Sequence, residues 1–182
     1  MIKVNPELFL SRLPFIGPNN IVDLMVRERG YDLLSLDITG ECILEMFSYS
    51  DFIKITQNYR LLWPKNKEEK WWNSKNTWLV KNYISNLKEE IISKPTKVNN
   101  FLSSWKEKES FSKPIEILVC YDLKRHLNLV VDGTNRLVAL HLIEDEKLIK
   151  KLFSSNHVYM ITFKTKKADI LFPCDFLHFE KE

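Results

Sequence analysis

The sequence predicts an α+β protein, a mixed sheet flanked by helices, and three observations carry that expectation. Short β-branched runs bounded by turn residues cluster in the C-terminal half. Apolar residues at three- and four-residue steps mark helices between them. The remaining length, 182 residues in all, suits one domain with at most a subdomain.

The elements follow in chain order. Residues 20–29 read as a helix with Ile21, Leu24 and Met25 on one face, closed by Gly30 after Arg27-Glu28-Arg29. Residues 31–37 and 41–47 read as strands around Thr39-Gly40. Asp51 is placed to cap a helix that runs through Phe52, Ile55, Tyr59 and Leu62 until Pro64 stops it, and residues 64–75 read as a polar loop. From residue 74, Trp78, Leu79, Tyr83, Leu87 and Ile91 recur at helical spacing up to Pro95. Residues 94–113 read as a polar, Lys-rich connection. Residues 114–121 and 127–131 read as two strands joined by the turn 122–126, and residues 137–143 as a helix packed on them. A short helix over 145–153 and a strand over 158–164 complete the expected set. The division expected is an N-terminal region, 1–73, serving as a lid or partner surface, and a core, 74–182.

Composition narrows the function classes. Hydrophobic residues at 45% and charged residues at 28% supply a core and exclude a wholly disordered chain. No apolar run approaches the ~18 residues of a membrane span and the N-terminus does not open as a secretory signal, so a cytoplasmic protein with no membrane partner is expected. Cys42, Cys120 and Cys174 stand far apart and read as reduced thiols. His126, His141, His157 and His178 lack the spacing of a metal site and read as surface or hydrogen-bonded core residues. No protein-ligated metal is expected.

The net charge of +3 is too mild to argue for nucleic acid, but its distribution is uneven. Between Pro64 and Pro114 stand 11 Lys and 6 Glu with no Arg or Asp, an excess of +5, together with Trp71, Trp72, Trp78 and Trp105. Lys70, Trp71 and Trp72 are therefore candidates for nucleic-acid or protein contact, since cations beside stacking surfaces suit single strands and Trp suits protein interfaces. Packing aromatics beside solvated lysines would produce the same pattern.

Gly133 is the one glycine in the C-terminal two thirds, and it lies between a strand and a helix in Asp132-Gly133-Thr134-Asn135-Arg136. Backbone amides at such a helix start can converge on an anion, with Thr134 and Asn135 adding short polar groups and Arg136 a bidentate guanidinium. A plain connection, with Asp132 capping and Arg136 paired to a carboxylate, fits the same spacing. Glu116 lies on the preceding strand and faces away from Ile115 and Ile117, toward either a ligand or solvent.

Val130 to Leu140 resembles the signature of the ParB/sulfiredoxin superfamily, Asp-Gly-x-His-Arg or Gly-x-x-Arg followed by a helix with Ala three positions after the Arg, here Ala139. Pro114-Ile115-Glu116-Ile117 is similar to the Pro-Ile-x-Val strand that precedes the hairpin in that family. The resemblance covers roughly residues 74–166 and implies a nucleotide-binding core in which Asp132, Gly133, Thr134, Asn135 and Arg136 hold the phosphates of a nucleoside triphosphate or diphosphate, ATP or CTP among them, with Mg²⁺. It implies small-molecule kinase or NTP hydrolase activity, with Glu7, by analogy with the serine-kinase branch, as a catalytic carboxylate or else an exposed or N-capping glutamate; Glu116, from its place on the strand, is the other catalytic candidate. Thr134 stands where sulfiredoxins carry the reactive Cys, which removes sulfinic-acid reduction from the expectation. Asn135 replaces the usual His and cannot titrate. Only 46 residues follow Arg136, too few for the helix-turn-helix domain of a partitioning ParB. The alternative is a DNA-associated or regulatory module of phage or mobile-element type, acting through nucleic-acid or protein contacts.

Overall fold

A computed structural model describes residues 2–4, 42–61, 79–107, 115–154 and 157–168. Within these residues six strands form one mixed sheet: β1 (Ile2–Val4), β2 (Cys42–Met46), β3 (Arg60–Leu61), β4 (Ile115–Asp122), β5 (Leu127–Asp132) and β6 (Val158–Thr165). Their order across the sheet is β1-β2-β6-β4-β5-β3. The β4/β6 and β3/β5 pairs are parallel and the other three are antiparallel. Three strands come from each side of residue 73, so the sheet runs across the expected division of the chain. No helix of the described residues is long and apolar enough to cross a membrane.

The strands at the centre of the sheet explain their own sequences. β4 and β6 are flanked on both edges, and both bury nearly every position, as near-continuous β-branched and apolar runs require. The β4–β5 turn is held by Asp122, whose buried carboxylate accepts from the Lys124 amide at 2.8 Å and pairs with the Arg125 guanidinium at 2.6 Å. His126 completes the turn at φ 56°, with its amide bonded to the Asp122 carbonyl at 2.8 Å. The expected hairpin over 122–126 is present.

Five helices lie among the described residues: α1 (Tyr49–Thr56), α2 (Val80–Lys88), α3 (Thr96–Glu107), α4 (Thr134–His141) and α5 (Glu146–Ser154). Several boundaries differ from the sequence expectation for identifiable reasons. The cap of α1 is Ser48 rather than Asp51, the Ser48 Oγ accepting from the Asp51 amide at 3.2 Å and donating to Asp51 Oδ2 at 2.7 Å. The helix also ends at Thr56 instead of continuing through Leu62, because Tyr59 and Leu61 enter the core and Arg60–Leu61 pairs with β5. Helix α2 begins six residues after the expected start, since Leu79 is extended, bridges to Arg60, and leaves the Val80 amide bonded to Tyr59 O at 2.9 Å. It ends before Ile91, which is 65% exposed rather than part of the apolar face.

The largest difference is α3, which occupies what reads as a polar connection. Val98 and Trp105 are buried and Phe101 and Leu102 pack against the core, an i, i+3, i+4, i+7 stripe hidden among lysines and serines. Trp105 stacks on Phe101 with centroids 5.5 Å apart, so this member of the Lys/Trp segment is a packing residue. Helix α4 starts at Thr134, three residues before the expected position, and α5 is capped by Asp145, whose Oδ1 accepts from the Lys147 amide at 2.9 Å.

One face of the sheet presents Ile115, Ile117, Val119, Val130, Val158 and Met160 to a core shared with the helices. Helix α4 is central to it, with Leu137, Val138, Ala139 and Leu140 all fully buried and α2 and α3 packed against it. Each such Leu or Val contributes about 1.5–3 kcal/mol by leaving water. The expected strands over 31–37, the helix over 20–29, and the loop over 64–75 lie outside the described residues.

Candidate functional site

The chain leaves β5 at Asp132, turns at Gly133 and enters α4 at once. Gly133 is the N-cap residue at φ +83°, a left-handed conformation that a side chain disfavours. A Cβ there would lie 3.0 Å from the Glu116 carbonyl oxygen and 3.2 Å from the Ile117 Cα. The glycine is thus demanded by the backbone of β4 crossing under the turn. Its bare side faces protein, the β4 backbone and the Arg136 side chain, rather than an open space for a ligand.

The polar groups of the turn divide into committed and uncommitted ones. Asp132 does not cap the helix: the N-cap position is Gly133, and the Asp132 carboxylate pairs with the Arg136 Nη2 one turn along. That pair is partly open, at 24% and 22% side-chain exposure. Among the described residues the side chains of Thr134 and Asn135 make no hydrogen bond. Among the described residues, the first turn of α4 therefore has amides with no side-chain partner, a buried Thr134 and a half-buried Asn135 without hydrogen bonds, and a positioned guanidinium beside them.

Glu116 joins this corner. The register places it beside Tyr159 across the β4/β6 pair, with Met46 next in the same row, and places Asp132 opposite Leu118 on the same face. The Glu116 carboxyl is half-buried, and burial pushes its pKa up to about 7; Arg136 pulls it down and Asp132 pushes it up by lesser amounts. Tyr159 is raised as well, by burial first and by Glu116 second. Sequence reading offered ligand and solvent as alternatives for Glu116, and the side chain in fact sits within a charged cluster. Tyr159 escaped notice because only the pairing of β6 with β4 brings it there.

Glu7, Lys70, Trp71 and Trp72 lie outside the described residues, as does His178. The described thiol, Cys120, is buried and free, and burial with Asp122 nearby pushes its pKa upward, so it is inert packing. No group of three His, Cys, Asp or Glu among the described residues is placed to hold a metal ion.

The fold and the corner define an α+β protein with a mixed sheet and a glycine-initiated helix start flanked by Arg136, Asp132, Glu116 and Tyr159. Comparison with protein-family models, curated proteins and solved structures finds no match.

Proposed function

We propose that the protein binds a nucleotide at the β5–α4 corner, with the phosphates on the first turn of α4, and uses it for phosphoryl transfer to a small molecule or for hydrolysis. The observation that carries this is the conjunction of a helix start with no side-chain cap among the described residues and a guanidinium held in place beside it. Arg136 has five donors and Asp132 occupies one end of the fork, so donors remain for phosphate oxygens. The resemblance to the ParB/sulfiredoxin signature points to the same residues, Gly133, Thr134, Asn135 and Arg136.

Glu116 supplies the acid–base element. A carboxyl with a pKa near 7 divides its time between acid and base at neutral pH, which suits proton removal from an attacking hydroxyl or water. In its protonated form it also lessens the repulsion that a second carboxylate would add to Asp132. With no cluster of protein ligands among the described residues, Mg²⁺ would be carried chiefly by the phosphates, sharing their charge.

Thermal-shift and calorimetric titration of wild type and Arg136→Ala against ATP, ADP, CTP and GTP with Mg²⁺ tests the proposal. A nucleotide at a hundred times its Kd stabilises the native state by about 2.7 kcal/mol. Stabilisation lost in Arg136→Ala, with the circular dichroism spectrum retained, is the expected outcome. No stabilisation by any of the four nucleotides refutes it and turns attention to Lys70, Trp71 and Trp72.

A further inference from the structure

A second polar site lies at the other end of α4. An open cavity of about 610 Å³ is bounded by one side of α1, the end of α2 and the C-terminus of α4, with Tyr49, Ile53, Lys54, Lys88, His141 and Glu144 on its walls. Its volume falls in the range of small-molecule sites, about 300–1,000 Å³. An eight-residue helix is about 12 Å long, so the cavity is too far from Gly133 for direct transfer between them.

His141 gives the cavity a defined hydrogen-bonding character. The Thr56 hydroxyl donates its one proton to the Phe52 carbonyl at 2.7 Å, and the same oxygen lies 2.8 Å from His141 Nε2. Thr56 must therefore accept, and Nε2 must carry the proton. Burial, with Lys88 adding to it, pushes the His141 pKa down to about 4, so the ring is neutral near pH 7. Its Nδ1 is then a lone-pair acceptor. Among the described residues that atom has no hydrogen-bond partner, and His141 lines the cavity. Lys54 and Lys88, both exposed, stand on the same walls. The Tyr49 hydroxyl, bonded to Ile143 O at 3.3 Å, ties the rim of α1 to the chain beyond α4.

We propose that this cavity binds a small organic anion, a carboxylate or a phosphate ester, that also presents an N–H or O–H donor. Lys54 and Lys88 take the anionic group through charge-assisted contacts, and His141 Nδ1 accepts from the donor. Glu144 and the carbonyl end of α4 disfavour polyanions, which limits the ligand to one anionic group.

The test uses the full chain with nitrogen-labelled histidine, titrated with inorganic phosphate, glycerol phosphate, para-hydroxybenzoate and neutral para-hydroxybenzamide. Glycerol phosphate and para-hydroxybenzoate separate a phosphate ligand from a carboxylate. The expected result is that one of these two moves the His141 Nδ1 resonance at millimolar concentration, and that Lys54→Gln/Lys88→Gln weakens its binding at least about tenfold. Both lysines are exposed, so the double variant keeps its fold. Arg136→Ala leaves this binding unchanged, which separates it from nucleotide binding at Gly133. The proposal is overturned if neither glycerol phosphate nor para-hydroxybenzoate moves the Nδ1 resonance, if the neutral amide binds as well as the benzoate, or if the double variant binds as tightly as wild type.

Discussion

Replacing Glu116 with Gln keeps the shape of the side chain and removes its titration, which makes the electrostatics of the corner measurable. In the folded chain the carboxyl holds its proton up to about pH 7, whereas the ordinary value is 4.5. Between those values the folded state binds a proton that the unfolded chain has released, so wild-type stability falls as pH rises through this window and levels off above it. Each pH unit of separation is worth about 1.4 kcal/mol, giving about 3 kcal/mol in full. Because the group is half-buried, solvent screening reduces this to about 1–2 kcal/mol. Urea denaturation at intervals from about pH 4 to pH 8 measures it. Glu116→Gln should match wild type near pH 4 and exceed it by about 1–2 kcal/mol near pH 8. A difference that does not change with pH, or a variant less stable than wild type at pH 8, would refute the assignment of desolvation as the cause.

His141 should show the opposite slope. Its folded value of about 4 lies below the ordinary 6.5, so the unfolded chain takes up a proton first and stability is lost as pH falls from about 6.5 toward 4, by about 3 kcal/mol in full; histidine NMR should find its ring untitrated at pH 5.5. Gly133→Ala meets both the left-handed backbone, about 1–2 kcal/mol, and the Glu116 carbonyl at 3.0 Å, so a loss of about 2–4 kcal/mol in chemical denaturation is expected. Trp105→Ala should cost about 3–5 kcal/mol by the same assay, as a buried aromatic stacked on Phe101 requires and an exposed stacking platform would not.

Local patterning determined much of this protein. The strand runs around Ile115–Asp122, Leu127–Asp132 and Val158–Thr165 were legible because alternation and β-branching suit a sheet whatever its neighbours, and the Asp122 turn because its carboxylate satisfies amides two and three residues on. The turn at Gly133 was legible because a lone glycine before a helix signals a backbone that few residues tolerate. Helix α3 escaped because its apolar stripe is diluted by lysines and serines, and becomes visible only as the face that packs on α4. The reason for Gly133 was also tertiary: Glu116 and Ile117 of β4, seventeen and sixteen residues upstream, cross beneath it.

The functional clusters depended on tertiary structure most of all. The sequence named Glu116, Asp132 and Arg136, but pairing β6 in parallel with β4 put Tyr159 beside them and desolvated the carboxyl. Thr56 and His141 are 85 residues apart, and only the packing of α1 against the end of α4 joins them and chooses which imidazole nitrogen holds the proton. A chain's local propensities set which residues can turn, cap or pair. Which charges share a low-dielectric space is settled by contacts between distant elements, and a pKa responds to that space rather than to sequence neighbours.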